Sequence, residues 1–237
     1  MTTGRGLKRH ECGSAGQAII PAFCMTPEQG IPVPERLERL KHWLENELNF
    51  SEYTLNPASA DASFRRYFRV AHEGESWIVM DAPPHREDSR PFITIAKLFL
   101  DAGLNVPEVI DVDLEQGYLL LSDLGSEPYL AALDDSSVDR LYGDALGALV
   151  AIQTCRPAQG SLPDYDRNLL LAEQELFREW LLGKHLGITL TAAQSTMCDN
   201  VFERLADNAL EQPQVCVHRD YHSRNLKVTT RNNPGIL

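Results

Sequence analysis

The hydrophobic pattern of this chain changes period near Gly125, and no other feature constrains its fold as much. Upstream, apolar residues come in short runs bounded by turn formers. Phe64, Tyr67, Phe68 and Val70 lead into Glu73–Gly74–Glu75, and "WIVM" follows. That is the composition of a β-hairpin, here preceded by a small polar loop, "SADAS". The stretch "VPEVIDVDLEQGYLLLSDLG" predicts another strand pair around Glu115–Gln116–Gly117, closed by a turn at Asp123–Gly125. Between the pairs, "RPFITIAKLFLDAGL" has helical spacing and ends at Gly103, a good residue for the left-handed end of a helix. Ahead of them Leu37, Leu40, Trp43, Leu44 and Leu48 form one stripe, an amphipathic helix with Pro34 in its first turn. Downstream of Gly125 the period is helical, through "EPYLAAL", "SVDRLYGDALGALVAIQTC", "LLLAEQELFREWLLGKHLG" and "TAAQSTMCDNVFERLADNAL". Strand character returns in "QVCVHRD" and "NLKVT", followed by the turn "RNNPG" and "IL".

The expected class is therefore α+β, with a mixed lobe first and a mainly helical lobe second. Residues 1–24 show no periodicity and are expected to be a tail, with Met25 as an alternative start. Residues 25–121 make the first lobe, 122–126 a connector, and 127–237 the second. A formal charge of −12 disfavours nucleic acid and anionic membranes as partners, since both would repel it. No apolar run approaches the ~18 residues of a membrane helix, and "GQAIIPAF" is too short and polar for a signal segment. The cysteines (Cys12, Cys24, Cys155, Cys198, Cys216) are scattered without zinc-type spacing, as expected of reduced thiols in a cytoplasmic protein.

The chemistry is concentrated in His218-Arg219-Asp220 followed four residues later by Asn225, which matches the H-R-D-x-x-x-x-N pattern of kinase catalytic loops. The spacing has a physical reason. An Asp there accepts the hydroxyl proton of the acceptor, and the Asn offers an amide oxygen to Mg²⁺ beside the phosphates. The motif follows the apolar "VCV" and precedes a strand–turn–strand segment, where kinases place a hairpin leading to a second metal-binding Asp. Without that context the same residues are an exposed loop with an accidental Asp and Asn.

Residues 35–237 resemble the N-terminal two-thirds of aminoglycoside phosphotransferase/choline kinase-type enzymes. Within that group they are most similar to bacterial kinases of N-acetylmuramate and N-acetylglucosamine. "SADASFRRYFR", "WIVMDAPPHREDSRPF", "GYLLLSDLG" and "VHRDYHSRNL" carry the resemblance. It implies a bilobal protein kinase-like fold and ATP-dependent phosphorylation of an anomeric hydroxyl in peptidoglycan recycling, by an enzyme monomeric at full length. Asp220 would be the catalytic base, Asn225 a ligand for Mg²⁺, and His218 an organiser of the loop. Arg219 and Arg224 would either stabilise transferring phosphate or brace the loop. Ser59, Asp61, Ser63 and Arg65 belong to the hairpin that would cover ATP, where small Ser59, Ala60, Ala62 and Ser63 replace the glycines of a G-x-G-x-x-G loop. Ser122, Asp123 and Leu124 would meet the adenine edge through their backbone, unless "LLLSDLG" is simply a strand ending in a turn.

Two departures stand out. Protein kinases end their third strand in a phosphate-pairing Lys, whereas "WIVMDAPP" puts Met80 and Asp81 there. Asp81 would bind an ion, hold Arg65 or Arg66, contact substrate, or merely open a loop. The resembled family would continue "PGIL" with Asp-Phe-x-Asp, and this sequence stops at Leu237. A chain of this extent is expected to be inactive, with apolar surface exposed on the helices between 138 and 210. Glu173, Glu175 and Glu179 share no tight helix face, so a solvated surface is expected there rather than a sugar-binding cluster. Alternative functions are a kinase for an aminoglycoside, choline or homoserine, and a catalytically silent nucleotide-binding module.

Overall fold

The structure, a computed structural model, describes residues 33–60, 65–158 and 160–237. The stripe after Pro34 forms α1 (Val33–Asn46). The sheet strands are β1 (Thr54–Ala60), β2 (Arg66–His72), β3 (Glu75–Asp81), β4 (Val109–Asp113) and β5 (Tyr118–Ser122), with α2 (Arg90–Asp101) between β3 and β4. They form one antiparallel sheet in the order β1-β2-β3-β5-β4.

β1 was not expected. Its sequence, "TLNPASA", carries Pro57, which has no N–H to give a ladder and reads as a strand breaker. The sheet accepts it because β1 is an edge strand, and a bulge between Pro57 and Ser59 absorbs the irregularity.

Alternation along the strands gives the sheet two apolar faces. Val70, Val79, Tyr118 and Leu120 pack under Leu40, Trp43 and Leu44 of α1. Met80, Leu119 and Leu121 lie on the opposite face, joined by Phe92 and Ile93 of α2. Each fully buried side chain of this kind contributes roughly 1.5–3 kcal/mol, so α1 is an integral wall of the lobe. At the β4–β5 turn Gly117 has φ +77°, and its carbonyl accepts the Ala82 N–H at 2.8 Å. A Cβ there would lie 2.0 Å from the Ala82 carbonyl oxygen, which only glycine avoids.

The second half opens with α3 (Tyr129–Ala132) and the long α4 (Val138–Thr154). α5 (Arg167–Leu176) starts on the Asp166 side chain, which accepts the Leu169 N–H at 2.9 Å. Beyond it, Phe177–His185 loosens into π turns rather than the regular α-helix expected. Leu186 N–H reaches Leu181 O five residues back, and Lys184 pairs with Glu179 at the same spacing, 2.8 Å apart. Thr191 and Gln194 form a reciprocal capping box at the start of α6 (Ala192–Leu210). The chain closes with β6 (Leu226–Lys227) against β7 (Gly235–Ile236).

"QVCVHRD" forms no strand. Val215 and Val217 are exposed, and the outer edges of the β6–β7 ladder are taken by Pro128 opposite Lys227 and Asn105 opposite Gly235. A third apolar cluster ties the halves together. Phe99, Leu104 and Val106 meet Tyr129, Leu141, Ala145 and Ile152, with Leu226 and Ile236 from the hairpin. The outer helical faces leave Leu146, Val150, Met197, Val201 and Leu205 exposed, as expected for this stretch.

Candidate active site

The loop at residues 218–225 is held from several sides. His218 stacks on Phe99 of α2 (centroids 6.2 Å apart) and meets Tyr221 edge-on at 5.4 Å. Burial pushes its pKa down; Asp220 pulls it upward and His222 again downward, so the imidazole is neutral near pH 7. The Tyr221 hydroxyl donates to the Ala145 carbonyl of α4 at 2.7 Å. Arg219 has φ +72°, a left-handed conformation that costs about 1–2 kcal/mol for a residue with a Cβ. Its guanidinium is tied to Glu173 of α5, which also accepts the Tyr165 hydroxyl, and it lies 5.7 Å over the Tyr165 ring. Arg219 thus braces the loop. Glu173 is not part of a merely solvated helix face. The Tyr165 hydrogen bond and the Arg219 charge, opposed by partial burial, hold its carboxyl below the usual range.

Asp220 is exposed, and each of its carboxylate oxygens has a polar neighbour. Asn225 Nδ2 donates to one at 2.6 Å and to the Asp220 carbonyl at 3.0 Å. His222 Nε2 lies 3.1 Å from the other oxygen. With its amide nitrogen committed to Asp220, Asn225 turns its Oδ1 away as an oxygen donor of the kind a hard cation takes. The Arg224 guanidinium is exposed and makes no ion pair among the described residues. Among the described residues no set of three or more His, Cys, Asp or Glu side chains converges as a metal site. Asn225 Oδ1 is an oxygen of the kind Mg²⁺ takes beside phosphates, where it usually keeps only one or two protein ligands.

The β6–β7 hairpin links this loop to the connector. Leu237 N–H donates to the Asn225 carbonyl at 2.8 Å, and Gly235 packs so close to Leu124 that an added Cβ would sit 3.3 Å from its side chain. The hairpin therefore brings Leu124 and Asn225, far apart in sequence, to one edge. Ser122 already has its backbone N–H on Glu108 O and its hydroxyl on Glu108 N–H, both at 2.9 Å. The backbone N–H groups of Asp123 and Leu124 make no hydrogen bond among the described residues.

The Asp123 side chain is a clamp. It accepts two bonds from Arg69 (2.6 and 3.0 Å), one from Ser76 and one from Gly125 N–H (both 2.9 Å). Burial works against its charge, but those donors prevail and lower its pKa. Lys227 of β6 lies within electrostatic reach of both Asp123 and Arg69. Burial, then Arg69, lowers its pKa, against a smaller upward pull from Asp123.

Asp81 is settled by strand register. Arg66 pairs with Asp81 across β2–β3, so Asp81 projects to the α1 face while Met80 takes the α2 face. Fully buried, Asp81 accepts Arg36 Nε at 2.6 Å on one oxygen and Arg66 on the other. Of the alternatives for this residue, the one realised is holding Arg66, with Arg36 as a further partner. Arg65 turns to the α2 side, ion-paired with Glu87 at 2.5 Å and 5.8 Å over the Phe92 ring. Asp61, Ser63 and the Ser59 side chain lie outside the described residues; the Ser59 backbone is in β1.

Residues 54–237 match the family described as phosphotransferase enzymes, APH. The chain belongs to the phosphotransferase enzyme family. A relative from Pseudomonas putida, named N-acetylmuramate/N-acetylglucosamine kinase, is 45% identical over 212 residues, covering 85% of this chain. The chain spans 62% of that relative's length. The fold of the family recurs in the aminoglycoside phosphotransferase APH(4)-Ia (TM-score 0.57, 15% identity, 86% of this chain and 70% of that one). It recurs also in APH(2")-IIa, solved as a streptomycin–ATP ternary complex (TM-score 0.53, 15% identity, 88% of this chain and 70% of that one). The mixed α+β architecture is the one expected of the family.

The local motif marks the loop at 218–225 but not most of what holds it in the structure. Glu173 reads from sequence as part of a solvated surface, and no motif there assigns a role to Tyr165, His222 or Lys227. Only His222, two residues from Asp220, carried a local signal.

Proposed function

We propose that this phosphotransferase-family chain carries the ATP-binding lobe and catalytic loop of an enzyme that phosphorylates the anomeric hydroxyl of N-acetylmuramate or N-acetylglucosamine. The observation that carries the reading is the Asp220–Asn225 pair, fixed as a unit at 2.6 Å, in a chain 45% identical to a kinase named for those sugars. In this reading residues 122–126 join the two lobes. The free N–H groups of Asp123 and Leu124 meet the adenine edge, and Arg65, oriented by Glu87, stands at the phosphate end beside the nucleotide-covering hairpin of Ser59, Asp61 and Ser63.

Asp220 accepts the proton of the sugar hydroxyl as its oxygen bonds to the γ-phosphorus, and ADP departs with the bridging oxygen's electron pair. Asn225 Oδ1 would hold Mg²⁺, which would supply neutralising charge beside the phosphates. Neutral His218 keeps the loop seated on Phe99, and Arg224 is free to meet transferring phosphate. Met80 adds no charge on the α2 face of β3, which leaves that task to Arg65.

The test is ADP release by the full-length protein with ATP and an acceptor panel of N-acetylmuramate, N-acetylglucosamine, an aminoglycoside, choline and homoserine. Turnover is expected with the amino sugars, and Asp220→Asn is expected to lower kcat by about 10²–10⁴. Phosphorylation of only the cationic acceptors refutes the sugar assignment. ATP binding without turnover of any acceptor identifies a silent nucleotide-binding module instead.

A further inference from the structure

Asp220 is one of two partners of a histidine that the proposed chemistry leaves idle. The Arg224 backbone N–H donates to His222 Nδ1 at 3.1 Å. A ring nitrogen that accepts a hydrogen bond carries no proton, so the neutral ring has its proton on Nε2. That nitrogen lies 3.1 Å from Asp220 Oδ1. On the opposite side, Asn225 Nδ2 donates to Asp220 Oδ2 at 2.6 Å. The carboxylate thus accepts from Asn225 at one oxygen and has His222 Nε2 within reach of the other, and each neighbour is itself oriented, His222 by Arg224 N–H and Asn225 by the Asp220 carbonyl at 3.0 Å.

We infer that His222 is a positioning residue for Asp220: the Arg224 amide selects its Nε2–H tautomer, and that N–H fixes the rotamer of the carboxylate that takes the acceptor's proton. The need for such a device follows from exposure. Asp220 is not packed in place, since its side chain is 70% accessible. An unpacked carboxylate samples several rotamers, and an ångström of misplacement at a reacting atom costs up to ~10²-fold in rate. The lone pair that receives the proton remains available, because each carboxylate oxygen has more than one acceptor site.

The inference rests on the kinase reading, and two substitutions separate positioning from loop bracing. His222→Gln places an amide N–H near the position of Nε2 and can still donate to Asp220. His222→Asn places an oxygen near the position of Nδ1, so it can still accept from Arg224 N–H but gives nothing to Asp220. In full-length protein with ATP and N-acetylmuramate, His222→Gln is expected to keep kcat within about threefold of the parent, and His222→Asn to lose about tenfold or more in kcat with KM nearly unchanged. The reverse order, or equal activity of both, overturns the inference, because His222 would then matter only through the Arg224 amide or not at all. A second measurement does not depend on turnover. Nitrogen NMR of the His222 ring at about pH 8.5, well above the ordinary imidazole value of ~6.5, is expected to show the proton on Nε2. A proton on Nδ1 overturns the inference even if phosphate transfer is normal. An Nε2 proton in a protein that transfers no phosphate instead overturns the kinase reading and leaves the His222–Asp220 pair standing.

Discussion

Replacing Asp81 by Asn discriminates between a structural and a catalytic carboxylate in place of the kinase lysine. Asp81 is fully buried, and the Arg36 side chain that pairs with it is only 7% accessible. The Arg66 side chain is 28% accessible and can turn towards water. The substitution therefore strands one guanidinium, not two. Arg36 keeps its bond to the Gln116 carbonyl at 2.5 Å and its place 5.0 Å over the Tyr118 ring, but loses the only carboxylate it pairs with among the described residues. Removing one partner of a buried pair costs about 3–5 kcal/mol. For a protein of this size that is a fall of about 6–20 °C in Tm. Arg66→Ala should cost less, since it leaves Arg36 and Asp81 paired. Arg36→Met combined with Asp81→Asn should cost less than the sum of the single changes, because no buried charge is then left alone. Thermal unfolding by circular dichroism, with ATP affinity measured on the same samples below the transition, reads all of this. An Asp81→Asn protein with unchanged Tm and at least tenfold weaker ATP binding would refute the register argument and make Asp81 a ligand-handling residue.

Two further perturbations test the remaining clamps. The depressed pKa of Asp123 means that its stabilising contribution is fully present above the ordinary carboxylate range and is lost as pH falls through the lowered value. Asp123→Asn should thus lower Tm at neutral pH and flatten its decline towards acid, and a parallel decline in both proteins counts against the Arg69–Asp123 clamp. Glu173→Gln removes the charge that holds Arg219, a pair partly open to solvent and worth under about 1 kcal/mol. Tm should shift by no more than ~2–4 °C while kcat falls several-fold, because Arg219 must hold its left-handed backbone unaided; an unchanged kcat would leave Arg219 without a role in the loop.

What was legible in the sequence is what depends on short spacing. The β2–β3 and β4–β5 hairpins, α1 and α2 each repeat a local period, and the His218–Asn225 loop is a local motif whose spacing is set by chemistry. β1 failed the same test because Pro57 contradicts a central strand, and a sequence does not say which strand will lie at the edge. "QVCVHRD" failed in the opposite sense. Its apolar alternation suits a strand, but a strand needs a partner edge, and none is offered there. The braces were illegible for a different reason. Arg219 and Glu173 lie 46 residues apart, and Arg36 and Asp81 lie 45 apart. No periodicity connects such pairs; only the packed sheet and helices bring them together.

Met80 and Asp81 show how far one residue of register reaches. In the sequence they stand side by side as equal candidates for the position of the missing lysine. Once Arg66 is set opposite Asp81, alternation sends the aspartate under α1 and the methionine towards α2, into an apolar cluster with Leu119 and Leu121. β3 then has no charge to offer at that end on the α2 face. Arg65 sits on that side, beside Phe92, with Glu87 as its carboxylate partner. A basic residue at the head of β2 paired with an acid just before α2 supplies the same elements as a strand lysine paired with a helix glutamate, with the cation one strand over. In the proposed kinase reading the charge that β3 lacks is therefore assigned to Arg65, next to the segment expected to cover the nucleotide.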